Sequence, residues 1–198
     1  MGTLIASRGR RDAPEIKTMQ VAIIGAGPLG RRLALLCAQS GLRVVLEDVM
    51  PSNLRHAEME LARLDRGAEN LTFATTIEAA VREADIAIDF VPDELESKLE
   101  IFSLLDRMAP PKTILCTPST AMSITDLASC TYRADRCVAV SSKDLADAVA
   151  IQILRSPMTS DETILFVTGF WQKIGKQTSV IDDPAAPVLV KNEHFLRS

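Results

Sequence analysis

Beyond residue 18 the apolar positions follow two rhythms. Short continuous runs of β-branched and aliphatic residues lie at 20–24, 43–47, 71–74, 86–91, 113–116, 137–140, 151–154 and 178–181. Between them, at 28–40, 51–66, 76–83, 94–108, 123–129 and 160–174, apolar residues recur every three or four positions. The short runs predict strands buried on both faces, and the longer stretches predict helices. Their alternation predicts an α/β fold, one doubly wound and mostly parallel sheet of about eight strands in a single domain. Thr75 with Glu78 and Thr159 with Glu162 have the spacing of capping boxes and predict two helix starts. Residues 1–18 carry no periodicity and read as a flexible leader, 19–183 as the domain, and 184–198 as a C-terminal tail.

Composition narrows the class. A chain of 198 residues with 47% hydrophobic and 24% charged residues buries one sizeable core. Its net charge of −4 argues against a nucleic-acid partner. No apolar run reaches the roughly 18 residues that span a bilayer, so no membrane association is expected. Cys37, Cys116, Cys130 and Cys137 form no C-x-x-C pair and have no histidine at ligand spacing. Neither a metal site nor a disulfide framework is expected, and reduced thiols point to a cytoplasmic protein.

The chemistry begins where the first strand ends. Val21-Ala22-Ile23-Ile24 runs into Gly25-Ala26-Gly27-Pro28-Leu29-Gly30 and then a helical stretch, which is G-x-G-x-x-G in its strand-to-helix context. Gly25 permits the tight turn, Gly27 lets the backbone approach a pyrophosphate, and Gly30 lets helix and strand pack closely. Ala26, Pro28 and Leu29 complete the loop, and Pro28 suits a first helical position whose N–H has no intrahelical use. Asp48 follows the second strand 23 residues after Gly25, where a carboxylate receives the adenosine ribose hydroxyls and disfavours the extra phosphate of NADP. These features predict a Rossmann-type domain with NAD as cofactor. Arg31 and Arg32 stand in the first helical turn, read either as solvated residues or as partners of the pyrophosphate.

With these residues and three further segments, the chain resembles the NAD-binding domain of 3-hydroxyacyl-CoA dehydrogenases over 20–188. The segments are Ala84-Asp85-Ile86-Ala87-Ile88-Asp89-Phe90-Val91-Pro92-Asp93-Glu94-Leu95-Glu96-Ser97-Lys98, then Ile114 to Thr120 with Ser123-Ile124-Thr125, and then Thr159 to Thr163 with Ile174-Gly175-Lys176. The resemblance implies that Asp93 stands for a glutamate and Lys98 for a lysine near the nicotinamide ribose. Read without it, Lys98 is as well a solvated helix residue. Thr120 takes the place of the family's serine.

The resemblance also implies losses. The family's catalytic histidine corresponds to Ser141, its orienting glutamate to Gln152, and an asparagine to Pro118. A serine hydroxyl is no effective base at neutral pH, and an amide supplies no charge to an imidazolium. A P-G-F segment becomes Pro184-Ala185-Ala186-Pro187. His56 reads as a solvated helix residue, while His194 is a candidate replacement base in the tail. The family's helical second domain, about a hundred residues long, has no counterpart in the 198 residues.

Three functions follow as expectations. The first is an NAD-binding protein, catalytically degenerate, acting as a binding, sensing or partner subunit. The second is an NAD-dependent oxidoreductase acting on a hydroxyacyl-CoA of fatty acid metabolism or another hydroxy substrate, with a base supplied by His194 or a partner. The third is a docking module whose sheet or helix face meets a separate helical subunit, leaving Phe166, Phe170 and Trp171 partly uncovered, although their helical spacing favours core packing. A homodimer is compatible with each.

Overall fold

The computed structural model of the chain describes residues 19–63, 66–119, 122–141, 144–184 and 187–189. The strands are β1 (Gln20–Ile24), β2 (Arg43–Glu47), β3 (Leu71–Ala74), β4 (Ile86–Asp89), β5 (Ile114–Pro118), β6 (Cys137–Ser141), β7 (Ala150–Arg155) and β8 (Gln177–Asp182). They form one sheet in the order β3-β2-β1-β4-β5-β6-β7-β8. All pairings are parallel except β6 with β7, which is antiparallel. The helices are α1 (Pro28–Gln39), α2 (Pro51–Leu61), α3 (Ile77–Val81), α4 (Leu95–Met108), α5 (Ile124–Ser129) and α6 (Asp161–Lys173).

Alternation along each strand sends successive side chains to opposite faces. Val21 and Ile23 join one buried cluster with residues of α1, α2 and α6, while Ala22 and Ile24 join the other with α3, α4 and α5. The sheet is therefore covered on both sides, which is why its strands read as continuous apolar runs. The chain steps outward from β1 to β2 and β3, then returns to place β4 on the other side of β1. That reversal opens a crevice at the carboxyl ends of β1 and β4.

Three expectations need correction. The capping hydroxyls are Thr76, which accepts from the Ala79 N–H, and Ser160, which accepts from the Thr163 N–H. Thr159 is instead buried and donates to the Cys137 carbonyl, so the cap shifts one residue onward. α2 stops at Leu61 rather than 66, and the chain then turns at Gly67, whose φ is +88°. A Cβ there would meet the Ala38 carbonyl oxygen at 2.8 Å, so only glycine lets the turn pass the end of α1. Finally, Phe170 and Trp171 are wholly buried and meet edge to face at 4.8 Å, and Phe166 packs on the same core. Phe170 and Trp171 hold α6 to the sheet, the core packing that their spacing favours, so they are not uncovered, while Phe166 is partly buried.

Candidate functional site

The glycine loop sits at the reversal of strand order. The Gly25 N–H donates to the Glu47 carbonyl at 2.8 Å, and the Phe90 N–H donates to the Ile24 carbonyl at 2.7 Å, so the loop leaves β1 clasped between β2 and β4. Gly25 has φ +103°, and a Cβ on it would press at 3.3 Å on the Phe90 backbone. At Gly30 a Cβ would lie 2.0 Å from the Gly25 carbonyl oxygen, which no side chain survives. Gly27 differs from both. It is the N-cap of α1 with extended backbone, and a Cβ there would meet nothing within 4 Å. The space over Gly27 is open, Pro28 occupies the first turn, and no side chain caps the helix. Twelve residues of helix thus direct free N–H groups and a positive dipole end into that space.

Asp48 organises the neighbouring rim. Its Oδ2 accepts from the Ala26 N–H at 2.8 Å and from Asn53 Nδ2 at 3.0 Å, while Oδ1 accepts from the Met50 N–H at 2.7 Å. The carboxylate is thereby fixed at the end of β2 and locked to the glycine loop. Leu29 in the glycine loop is an exposed apolar residue, as are Val49 and Met50, which directly follow Asp48. Beside it Glu47 is only 3% exposed, and its Oε1 has no hydrogen-bond partner among the described residues. Burial, with Asp48 adding to it, pushes the Glu47 carboxyl up to about 7.

Neither arginine of the first turn is spare. Arg31 donates to the Ala26 carbonyl at 3.0 Å and pairs with Glu60 of α2 at 3.3 Å, bracing the loop from below. Arg32 pairs with Asp144 and Asp147, beyond β6.

On the far side of the crevice, Asp93 is exposed between β4 and α4. Lys98 is not solvated. It is 1% exposed, and its Nζ donates to Asp89 Oδ1 at 2.6 Å and reaches the Pro118 carbonyl at 3.5 Å. Burial pushes the Asp89 carboxyl up, against the opposing pull of Lys98, the Thr117 hydroxyl and the Val91 N–H. Sequence reasoning overlooked Asp89 and Glu47. The signal for each was a carboxylate directly after an apolar run, Ile86-Ala87-Ile88 before Asp89 and Val44-Val45-Leu46 before Glu47.

Ser141 and Gln152 are register partners in the antiparallel β6–β7 pair. Thr120 and His194 lie outside the described residues, as do the leader 1–18 and most of the predicted tail. Ahead of them, the Val188 and Leu189 N–H groups donate to the Asp126 carboxylate at 2.6 and 2.9 Å. His56 is exposed on α2. Among the described residues no cluster of three metal-ligating side chains occurs, and no helix is long and apolar enough to cross a membrane. Cys37, Cys116 and Cys137 are buried and unpaired, and burial pushes their thiols up.

An uncapped helix start beneath an open glycine, at the strand-order reversal of a doubly wound sheet and beside a fixed carboxylate, defines a dinucleotide-binding domain of the Rossmann class. Sequence gives the family. The family model described as "3-hydroxyacyl-CoA dehydrogenase, NAD binding domain" matches residues 20–184, and the chain belongs to that family, whose cofactor is NAD. A Bacillus subtilis protein named "Probable 3-hydroxybutyryl-CoA dehydrogenase" is 30% identical over 92% of this chain and 67% of its own length. The human mitochondrial hydroxyacyl-coenzyme A dehydrogenase is 28% identical over 86% of this chain and 61% of its own. The crystal structure of a 3-hydroxyacyl-CoA dehydrogenase from Archaeoglobus fulgidus superimposes with a TM-score of 0.75 at 28% identity, covering 84% of this chain and 57% of that one. The chain thus spans about two thirds or less of these relatives.

Proposed function

We propose that this chain binds NAD(H) along the carboxyl ends of β2, β1, β4 and β5 and has lost the proton-transfer pair of the hydroxyacyl-CoA dehydrogenases. In this reading it serves as a binding, sensing or partner subunit. The N-terminal turn of α1 over Gly27 holds the pyrophosphate, with Ala26, Pro28, Leu29 and Gly30 shaping the cradle. Asp48 receives the adenosine ribose, and Asp93, Lys98 and Thr120 belong to the nicotinamide half. A bound nicotinamide would supply the hydride-accepting ring.

One observation carries the degenerate reading. Ser141 and Gln152 face each other across β6 and β7, the arrangement that a histidine and its orienting glutamate require, and they hold a hydroxyl and an amide. Directly opposed residues of an antiparallel pair share a face with Cβ atoms about 5 Å apart. The correspondence to the family's catalytic positions is thus supported geometrically, while neither side chain present is a base. The test is a panel of 3-hydroxyacyl-CoA and small hydroxy-acid substrates with NAD, followed by NADH absorbance. No turnover is expected from the isolated chain.

The relatives' names favour a second reading, an oxidoreductase whose base comes from His194 or a partner chain. Turnover in that panel that disappears in His194→Ala would establish the His194 version. A helical partner or second copy and a cytoplasmic location belong to the proposal also, the latter supported by the unpaired buried thiols.

A further inference from the structure

Glu47 is a carboxyl in an apolar place. It ends β2 in register with Ile24 of β1 and Ala74 of β3, both buried in the cluster that α3 covers. Val45, two residues earlier on the same face of the strand, packs on that cluster too. The side chain is sealed from solvent, and its Oε1 has no hydrogen-bond partner among the described residues. A buried acceptor left unpaired is costly, and a buried carboxylate costs more than a neutral carboxyl. The same residue is bonded to the binding site through its backbone. Its carbonyl accepts the Gly25 N–H at 2.8 Å, and Asp48, the next residue, accepts the Ala26 N–H.

The elements packed against β2 bring no cation to this carboxyl. β1 and β3 carry no titratable side chain. On α1, Arg31 is engaged by Glu60 and Arg32 by Asp144 and Asp147. Glu78 on α3 and Arg82 at its end are exposed, and Arg43, which opens β2, pairs with Glu83. Asp48 adds to burial in favouring the protonated form of Glu47. A dinucleotide held over Gly27 brings an anionic pyrophosphate to the loop that Glu47 clasps, and a further negative charge nearby disfavours the carboxylate again.

We propose that Glu47 makes cofactor binding proton-linked: the site takes up NAD(H) with the Glu47 carboxyl protonated and holds it more weakly once that group is ionised. The inference rests on the NAD reading above and adds a regulation to the same site. The proton comes from solvent as the cofactor enters and returns to solvent as it leaves, with no change of oxidation state. Because linkage is reciprocal, an anion that favours the protonated carboxyl is itself bound better in its presence.

The test is calorimetric titration of NAD and of ADP-ribose between about pH 6 and about pH 9, each in buffers of different ionisation enthalpy, into wild type, Glu47→Gln and His56→Gln. ADP-ribose keeps the pyrophosphate and lacks the nicotinamide ring. Wild type should bind both ligands at least about fivefold more weakly at the upper pH and take up about half a proton per ligand near neutrality. Glu47→Gln, which keeps the size without the charge, should bind within about twofold across the range and take up no proton. His56→Gln should keep the wild-type profile, because His56 is exposed on α2. NAD binding to wild type that does not change with pH would overturn the proposal, as would a pH profile that survives in Glu47→Gln or one shown by NAD and absent for ADP-ribose. Wild-type protein that binds neither ligand at millimolar concentration at any pH would instead refute the cofactor reading, and this inference with it.

Discussion

Ser141, at the end of β6, and Gln152, on β7, stand directly opposite one another in the antiparallel pair that joins those strands. The separation is that of a cross-strand pair, so side chains long enough to meet will meet. Installing a histidine and a glutamate here should therefore create an interacting dyad. In Ser141→His alone the imidazole should titrate near its usual value. Adding Gln152→Glu should raise it by about one unit, because an adjacent carboxylate favours the imidazolium. An NMR pH titration of the ring protons checks this, and identical titrations in the two variants would show that the residues do not meet.

The glycines separate folding from binding. Gly30→Ala places a Cβ 2.0 Å from the Gly25 carbonyl oxygen, so α1 must move off the sheet. A loss of at least about 3 kcal/mol is expected in urea unfolding. Gly27→Ala meets nothing within 4 Å and has a backbone any residue adopts. It should unfold within about 1 kcal/mol of wild type, while its methyl group occupies the approach of the pyrophosphate and weakens NAD binding at least about tenfold. Undiminished NAD affinity in Gly27→Ala would place the phosphates elsewhere.

Glu47 gives the stability a pH dependence. Its carboxyl is raised from 4.5 to about 7 in the folded state, so between these values the folded protein binds more protons than the unfolded chain. Stability due to this group is present below about pH 4.5 and is lost as pH rises through about 7. Glu47→Gln keeps the size and removes the charge, and should be more stable than wild type at about pH 8 by on the order of 2 kcal/mol. Urea unfolding at about pH 5 and about pH 8 measures it, with the variant's advantage expected only at the higher value.

Arg133 should matter to the fold and not to the cofactor. Its Nε pairs with Asp106 Oδ1 at 2.8 Å, and its Nη atoms donate to the carbonyls of Asp106, Ala109 and Pro110, closing the C-terminal end of α4. Arg133→Ala leaves the largely buried Asp106 carboxylate without its cation, with only the Tyr132 N–H still donating to it. About 3 kcal/mol should be lost in thermal or urea unfolding, with NAD affinity unchanged in the fraction that remains folded.

Most of the fold was legible because local pattern and global architecture agree. The apolar runs at 20–24, 43–47 and 71–74 coincide with β1, β2 and β3 residue for residue. The errors fall where tertiary contacts decide. Thr159 lost its capping role to Ser160 because the Cys137 carbonyl takes its hydroxyl, and α2 ends at Leu61, ahead of the turn at Gly67 that must pass the end of α1. At the site, the glycine loop and Asp48 were legible because the motif fixes their spacing. The burial of Lys98 was not, since nine residues separate it from Asp89 and only the return of α4 over the sheet brings the charges together. The register of Ser141 with Gln152 was hidden likewise, because it depends on how the chain between β6 and β7 turns back.

The central claim is that the cofactor site is retained in a chain without the catalytic pair. Calorimetric titration of NAD into the purified wild-type chain tests it most directly. A saturable one-site isotherm in the micromolar to millimolar range, roughly −8 to −4 kcal/mol, is the predicted result. Heats indistinguishable from dilution at millimolar NAD would contradict it.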